Sequence, residues 1–542
     1  MPNKIAVLDL ETDPFEHGKM IQPFVAGFYD GERFITFWSA DCVERMVHFL
    51  ETQTDEYTIY AHNGGRFDFF YFLDHLAGAA RIVNSRIIQA RLGKHELRDS
   101  FAIMPFPLES YHKTEIDYDK FKKHARENHK EEILSYLRDD CVDLYKLCIT
   151  YRQEFGDVLT IGSASMKQLK EHHHFKCGNG EYDAKFRSKF YFGGRNQVFR
   201  SGIIAGSIKV FDVNSMYPHV MQSCLHPVGT GVELSRSVQN NTAFIVVEGK
   251  NDGAFPTRQK DGSLDFTVPR GTFHTTIHEF NAAIDTGAFR PTRIIKCYGF
   301  KQRETFAEFV EHFYTERMKA KAAKDEIRTL FYKFVLNSAY GKFAQNPENY
   351  YDWAVSEIGT LPGEWHECKR SCDEPCRLKW LPAFMAQKYI IWKRPLRLQW
   401  YYNIATGASI TGAARALLLR GLRAVHEPLY CDTDSIICRD ASRLPISDSQ
   451  LGAWKLETTG RMAAICGKKL YAVFDAQETN HQKVPCTAYW CVKKAHKGAR
   501  LSAFEILRIA EGETIEACNP VPAFKFDGTF SFTKRKIRRT AA

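Results

Sequence analysis

Two acidic pairs, one near each end of the chain, constrain this sequence most. Asp9-Leu10-Glu11 closes the apolar run Ile5 to Leu10. Tyr430-Cys431-Asp432-Thr433-Asp434-Ser435 lies between the segments Leu417 to Leu429 and Ile436-Ile437. In a strand, residues i and i+2 point to the same face, so each segment is expected to aim two carboxylates at one spot. Like charges that close are costly unless a cation neutralises them, and hard oxygen ligands suit magnesium or manganese. A chain of 542 residues is too long for one core, so two or more domains are expected.

Each pair has further partners in order. Tyr60-Ala61-His62-Asn63-Gly64-Gly65-Arg66-Phe67-Asp68 follows a strand-like segment, and its glycine pair marks a sharp turn. This puts Asp68 near the start of a helix, able to face Asp9 and Glu11. Downstream, apolar residues at 133, 134, 137, 142 and 144 fit one helix face, with Tyr136 and Asp140 one turn apart on one side. Asp9, Glu11, Asp68 and Asp140 can together hold two divalent ions, a clamp for in-line attack on a phosphodiester, with Tyr136 orienting the attacking water. Taken singly, each acid reads as a solvated surface charge; the ordered set does not.

The second pair gains Asp212 from Ile208-Lys209-Val210-Phe211-Asp212-Val213-Asn214-Ser215-Met216-Tyr217-Pro218, a strand ending in a turn. Asp212 and Asp434 are expected as principal cation ligands, with Asp432 in support. The alanine- and lysine-rich stretch from Lys319 through Gly341 is expected to be helical, with Gly341 at its end. Lys333, Asn337 and Tyr340 then fall on one stripe that can meet a phosphate, a sugar and a base.

Composition sets limits. The apolar fraction of 44%, with 40 Phe and 24 Tyr, can bury a large interior. A net charge of +10 suits a polyanionic partner, and Lys534-Arg535-Lys536-Ile537-Arg538-Arg539 concentrates it in a tail that touches phosphate or is simply solvated. The start reads as a strand rather than a signal peptide, and no apolar stretch is long enough to span a membrane. The 15 cysteines, an odd number along a long chain, suit a reducing cytoplasm. His366, Cys368, Cys372 and Cys376 are zinc-type ligands, but their spacing is not the common Cys-x2-Cys knuckle, so free thiols in a surface loop are the preferred reading.

These segments resemble the motifs of family B DNA polymerases, closest to the protein-primed phage branch of the short tectivirus kind. Asp9-x-Glu11, Asn63-x3-Phe67-Asp68 and Tyr136-x3-Asp140 look like the three 3′–5′ exonuclease motifs. The resemblance makes Lys113 a support for the exonuclease metals. It makes Thr12, Asn63, Phe67, Ser100 and Phe101 the grip on a frayed 3′ end. Asp212-x2-Ser215-Met216-Tyr217-Pro218, Lys333-x3-Asn337-Ser338-x-Tyr340-Gly341 and Tyr430-x-Asp432-Thr433-Asp434-Ser435 look like polymerase motifs A, B and C. By resemblance, Val213 joins Asp212 and Asp434 as a metal contact. Ser215, Tyr217, Lys321, Lys333, Asn337 and Tyr340 would bind the nucleotide, with Tyr217 as steric gate against ribose. Tyr191, Gly193 and Gly194, and Lys469 with Tyr471, would hold DNA.

The implied fold is multidomain, α/β and α+β. A ribonuclease-H-like exonuclease domain occupies residues 1–160, and a right-hand polymerase follows. Its palm spans 161–223 and 400–502, its fingers 316–343 and its thumb 503–542. A first insertion at 224–315 would contact a terminal protein; a second, at 344–399, would serve strand displacement and processivity. Two magnesium or manganese ions per site, dNTPs, primer–template and single-stranded DNA, and a terminal protein as primer complete the expectation. The chain would act as a monomer or as a heterodimer with that protein, in the host cytoplasm. A nucleic-acid-primed family B enzyme is the rival; a non-catalytic DNA-binding scaffold is a weaker one, because buried carboxylates without metals would be costly to keep.

Overall fold

The computed structural model describes residues 3–13, 21–108, 116–173, 180–229, 231–346, 350–360, 380–395, 401–481, 484–518, 523–526, 529–532 and 534–540. The N-terminal strand Lys4–Thr12 lies inside a 10-stranded sheet. It runs parallel to Tyr57–Ala61, which runs parallel to His95–Asp99, and antiparallel to Pro23–Tyr29. Alternation along this strand decides everything that follows. Ala6, Leu8 and Leu10 enter the core that includes the helix Cys42–Thr52. Ile5 and Val7 enter the core built with Ile133, Leu137, Cys141 and Leu144 of the helix Lys130–Phe155. Asp9 and Glu11 share the parity of Ile5 and Val7, so they point toward that helix.

The same sheet is completed from far along the chain. Tyr351–Glu357 pairs with Gly78–Val83, and Tyr389–Pro395 and Leu381–Met385 follow it outward. The segment expected as a second insertion therefore extends the sheet of the N-terminal unit. The His366, Cys368, Cys372 and Cys376 cluster lies outside the described residues, as does Lys113.

A seven-stranded antiparallel sheet forms the second centre. Its middle strand, Gly202–Val213, lies between Ser435–Asp440 and Trp454–Gly467. The helix Ile404–Ala424, buried along almost its whole length, packs between this sheet and the helix Ile277–Asp285. A separate four-stranded sheet, centred on Thr242–Asn251 and Phe289–Gly299, lies within the segment expected as a first insertion.

The helical expectation for residues 319–341 is met with a break. Two helices, Ala307–Ala322 and Glu326–Phe343, are joined by Lys324 in the left-handed region, and Asp325 caps the second by accepting from the Arg328 N–H at 3.0 Å. A short acceptor side chain at this position competes with continued helix, which propensity alone did not reveal. Gly341 lies in the last turn, and the helix runs two residues further to Phe343, which is fully buried. The basic tail is likewise not simply solvated chain: Lys534–Ile537 pairs with Ile515–Cys518.

Two candidate carboxylate sites

At the end of the strand Lys4–Thr12, Asp9, Glu11 and Asp140 each offer a carboxylate oxygen, all within 4.8 Å of one another. Asp68 opens the short helix Asp68–His75 and accepts from the Leu10 N–H at 3.2 Å, which fixes it beside the other three. The glycine pair makes this possible: a Cβ at Gly65 would sit 2.2 Å from the Ile87 carbonyl oxygen. Burial, then the neighbouring carboxylates, pushes Asp9 and Glu11 well above the ordinary carboxylate range, and burial pushes Asp68 up to about 7. Among the described residues no lysine or arginine forms an ion pair with Asp9, Glu11 or Asp68. Clustered, half-buried carboxylate oxygens are the donor set that a hard divalent cation fits.

Tyr136, one turn from Asp140, is shifted upward by burial and then by Asp140 and Glu11, so its hydroxyl stays protonated and able to donate at the site. Ser100 is buried and shares a 3.0 Å hydrogen bond with His62. Phe101 is half-buried, with the Arg86 guanidinium 4.6 Å from its ring centre. Asn63 holds a left-handed backbone at the turn, and Thr12 ends the strand at an irregularity in its pairing with Pro23–Tyr29. Phe67 meets Tyr71 and Phe524 edge-on, each at 5.6 Å. His62 and the C-terminal Phe524 were not picked out by the motifs; the first was legible only as a neighbour of Asn63, the second not at all.

In the second site, Asp212 pairs directly with Ser435 across the sheet. The Val213 N–H donates to the Asp434 carbonyl at 2.9 Å, so the two acidic segments are stitched through the backbone. Burial and then Asp434 push Asp212 up to about 7, while Lys493 and Lys333 oppose the rise. Burial also raises Asp434, with Asp432 contributing.

The spacing argument holds at Asp9 and Glu11 but gives way at Asp432 and Asp434. The strand His426–Asp432 stops at the first acid, and Thr433-Asp434 forms the tight turn into Ser435–Asp440, with Thr433 left-handed. The two side chains therefore do not share a pleat. Asp432 accepts from the Tyr430 hydroxyl at 3.3 Å and the Thr433 hydroxyl at 3.2 Å, and Lys469 lies 3.8 Å away. Asp432 thus joins the Lys469–Tyr471 segment, where Tyr471 packs on Tyr430 at 5.1 Å, to the turn that carries Asp434.

Tyr217 and Tyr340 stack face to face, ring centres 3.8 Å apart and planes 8° from parallel. Ser215, left-handed, turns the chain from Gly202–Val213 into the helix Met216–Ser223 that presents Tyr217. Lys333 and Asn337 are exposed on the same helix as Tyr340, and Lys321 is exposed in the last turn of Ala307–Ala322. Gly194 touches the acidic turn: a Cβ there would lie 2.5 Å from the Thr433 hydroxyl oxygen. Just upstream of Gly194, Arg258 donates to the Tyr191 carbonyl at 2.6 Å, and Arg415 donates to the Gly193 carbonyl at 2.9 Å. Arg415 also pairs with Glu279 at 2.7 Å, both 3% exposed. Motif reading missed Lys493 and Arg415. Arg415 carried a signal, a lone charge within the buried run from Ile404 to Leu419.

The match to known proteins decides against a non-catalytic scaffold. Residues 105–380 fit the family of DNA polymerase type B, organellar and viral. The chain is 43% identical to the DNA-directed DNA polymerase of Enterobacteria phage PRD1, over 99% of this chain and 98% of that protein. It belongs to the organellar and viral type B DNA polymerases. This polymerase is also 25% identical to the DNA polymerase of Bacillus phage Nf, over 70% of this chain and 68% of that one. In fold it is similar to Phi29 DNA polymerase complexed with primer–template DNA, with a TM-score of 0.71 at 18% identity, over 99% of this chain and 100% of the other. The polymerase is a DNA-directed enzyme, and its family implies dependence on divalent metal. Among the described residues no helix is long and apolar enough to cross a membrane.

Proposed function

We propose that this polymerase joins nucleotides at Asp212 and Asp434 and removes them, 3′ to 5′, at Asp9, Glu11, Asp68 and Asp140. One observation carries the reading: a single chain builds two nests of half-buried carboxylates with raised pKa values, anchored on two different sheets. Two magnesium or manganese ions at each nest would neutralise the carboxylates and supply Lewis acidity when bound. In synthesis, Lys333 and Lys321 meet the triphosphate as compact charges and Asn337 borders the sugar. The Tyr217 ring, braced by Tyr340, fills the space a ribose 2′-hydroxyl needs. In degradation, Tyr136 holds a proton toward the site, Phe67 and Phe101 stack on the frayed base, and Thr12, Asn63 and Ser100 contact its backbone. Lys113 supports the carboxylates. Gly193, Gly194, Tyr191, Lys469 and Tyr471 guide primer–template between the two.

Residues 1–160 act as the exonuclease unit, 161–223 with 400–502 as palm, 316–343 as fingers and 503–542 as thumb. The insertions at 224–315 and 344–399 contact the primer protein and enclose DNA for strand displacement. Synthesis begins on a terminal-protein hydroxyl in the host cytoplasm. This priming reading is supported by likeness to the PRD1 enzyme along the whole chain.

Asp434→Ala is expected to abolish primer extension and leave degradation of single strands; Asp9→Ala with Glu11→Ala is expected to do the reverse. Loss of both activities in either variant overturns the assignment of separate sites. Incubation with a candidate terminal protein and one labelled dNTP, without DNA primer, should label the protein; extension only from an oligonucleotide primer decides for nucleic-acid priming.

A further inference from the structure

Immediately after the Tyr191–Gly194 segment, the chain buries a charge that nothing in the polymerase mechanism uses. Arg195 is 4% exposed and lines a cavity of about 380 Å³ between Asn196–Val198, the segment 251–269 and the helix Ile404–Ala424. Its Nε and one terminal nitrogen donate to the Gln197 side-chain oxygen at 3.0 and 2.6 Å, and the other terminal nitrogen donates to the Gly253 carbonyl at 2.8 Å. These bonds use three of the five N–H groups that a guanidinium carries. Every acceptor is neutral, and among the described residues no carboxylate pairs with Arg195. The neighbouring cation, Arg423, is already held by Asp252 at 2.7 Å on the rim. A buried guanidinium without a counter-ion is costly to keep charged. A glutamate at 197 would have neutralised it in place; Gln197 orients it and leaves it charged.

Part of the remaining lining is aromatic and aliphatic and suits a flat ring. The guanidinium lies 4.3 Å from the Phe266 ring centre and 5.7 Å from that of Phe199, and Leu419 and Leu422 close the wall. The volume is roughly ten times that of one water, at about 30 Å³ each, so it admits more than a bare inorganic ion. The pocket also touches the catalytic turn, since the Arg195 carbonyl accepts from the Thr433 N–H at 2.7 Å.

We propose that this cavity binds a phosphate-bearing nucleotide group, the phosphate as counter-ion to Arg195 and the base against Phe199 and Phe266. Phosphate is favoured over other anions because every substrate of a DNA polymerase carries it and because Arg195 continues the segment that guides DNA. The group comes from a free nucleotide or from a strand of bound DNA.

The full-length protein in EDTA, where cation-dependent binding at the carboxylate nests is removed, separates these sources. Titration with dAMP is followed by calorimetry, and binding of primer–template by fluorescence anisotropy across a salt series. If the source is free nucleotide, the parent protein binds dAMP and Arg195→Met weakens it by about tenfold or more, with DNA binding unchanged. If the source is DNA, dAMP binds to neither, and Arg195→Met weakens primer–template and lowers the salt slope by about one. Should Arg195→Met fail to fold, Asp252→Asn decides: removing the rim carboxylate strengthens the same binding by a few-fold. Unchanged dAMP and DNA binding in a folded Arg195→Met, or no gain in Asp252→Asn, overturns the proposal.

Discussion

Raising the pH from 6 to 8 is expected to strengthen manganese binding at each carboxylate nest by about tenfold or more. Burial, ahead of any other influence, carries Asp68 and Asp212 from 3.8 to about 7. A group with that pKa is about nine-tenths protonated at pH 6 and about one-tenth protonated at pH 8. The incoming cation must displace the proton, so one such group gives about a tenfold change at each nest, to which the raised Asp9 and Glu11 add at theirs. The effect on stability has the opposite sign. Because the folded pKa lies above the unfolded value, the cation-free fold is favoured below about 3.8, and that advantage is lost as the pH rises through about 7. The cation-free melting temperature should therefore fall across this window, and saturating manganese should cancel the fall. Calorimetric titration of manganese at pH 6, 7 and 8 measures the effect, with Asp212→Asn isolating the first nest and Asp68→Asn the second. An affinity that changes by less than about twofold over this range in both variants refutes the reasoning, because the carboxylates would then be ionised already at pH 6.

Arg415→Met strands Glu279 with only the Thr276 backbone and hydroxyl as partners, and should cost about 3 kcal/mol in denaturant unfolding; adding Glu279→Met should recover most of it. Gly194→Ala drives a methyl into Thr433, so primer extension should fall by about tenfold or more while single-strand degradation persists, an outcome that gel assays of both activities check. Tyr217→Val removes the ring stacked on Tyr340, and incorporation of ribonucleotides relative to deoxyribonucleotides should rise by about tenfold or more. Phe524→Ala removes the ring set edge-on to Phe67; exonuclease activity on single strands should fall while extension of a paired primer is unchanged.

What could be read in advance depended on how local the cause was. Asp9 and Glu11 were legible because a pleat enforces their common direction within three residues. Tyr136 and Asp140 were legible because one helical turn does the same. Lys333, Asn337 and Tyr340 follow from a single helix. Asp432 and Asp434 looked equivalent to the first pair, yet a turn intervenes and only one of them faces Asp212. No periodicity distinguishes a pleat from a two-residue hairpin when the flanking residues are equally apolar.

The amino-acid order by itself determined the carboxylate inventory, the strand and helix that carry Asp9, Glu11 and Asp140, and the kinship with type B polymerases. These are properties of short spacings, where covalent geometry limits the choices. The tertiary structure alone decided that Tyr351–Glu357 would complete a sheet begun at Lys4, that Phe524 would reach Phe67, and that Arg415 would find Glu279 across 136 positions. Such contacts form because buried apolar area and unpaired charge must be satisfied by whatever surface the whole chain brings near, and that is settled only when every element has packed.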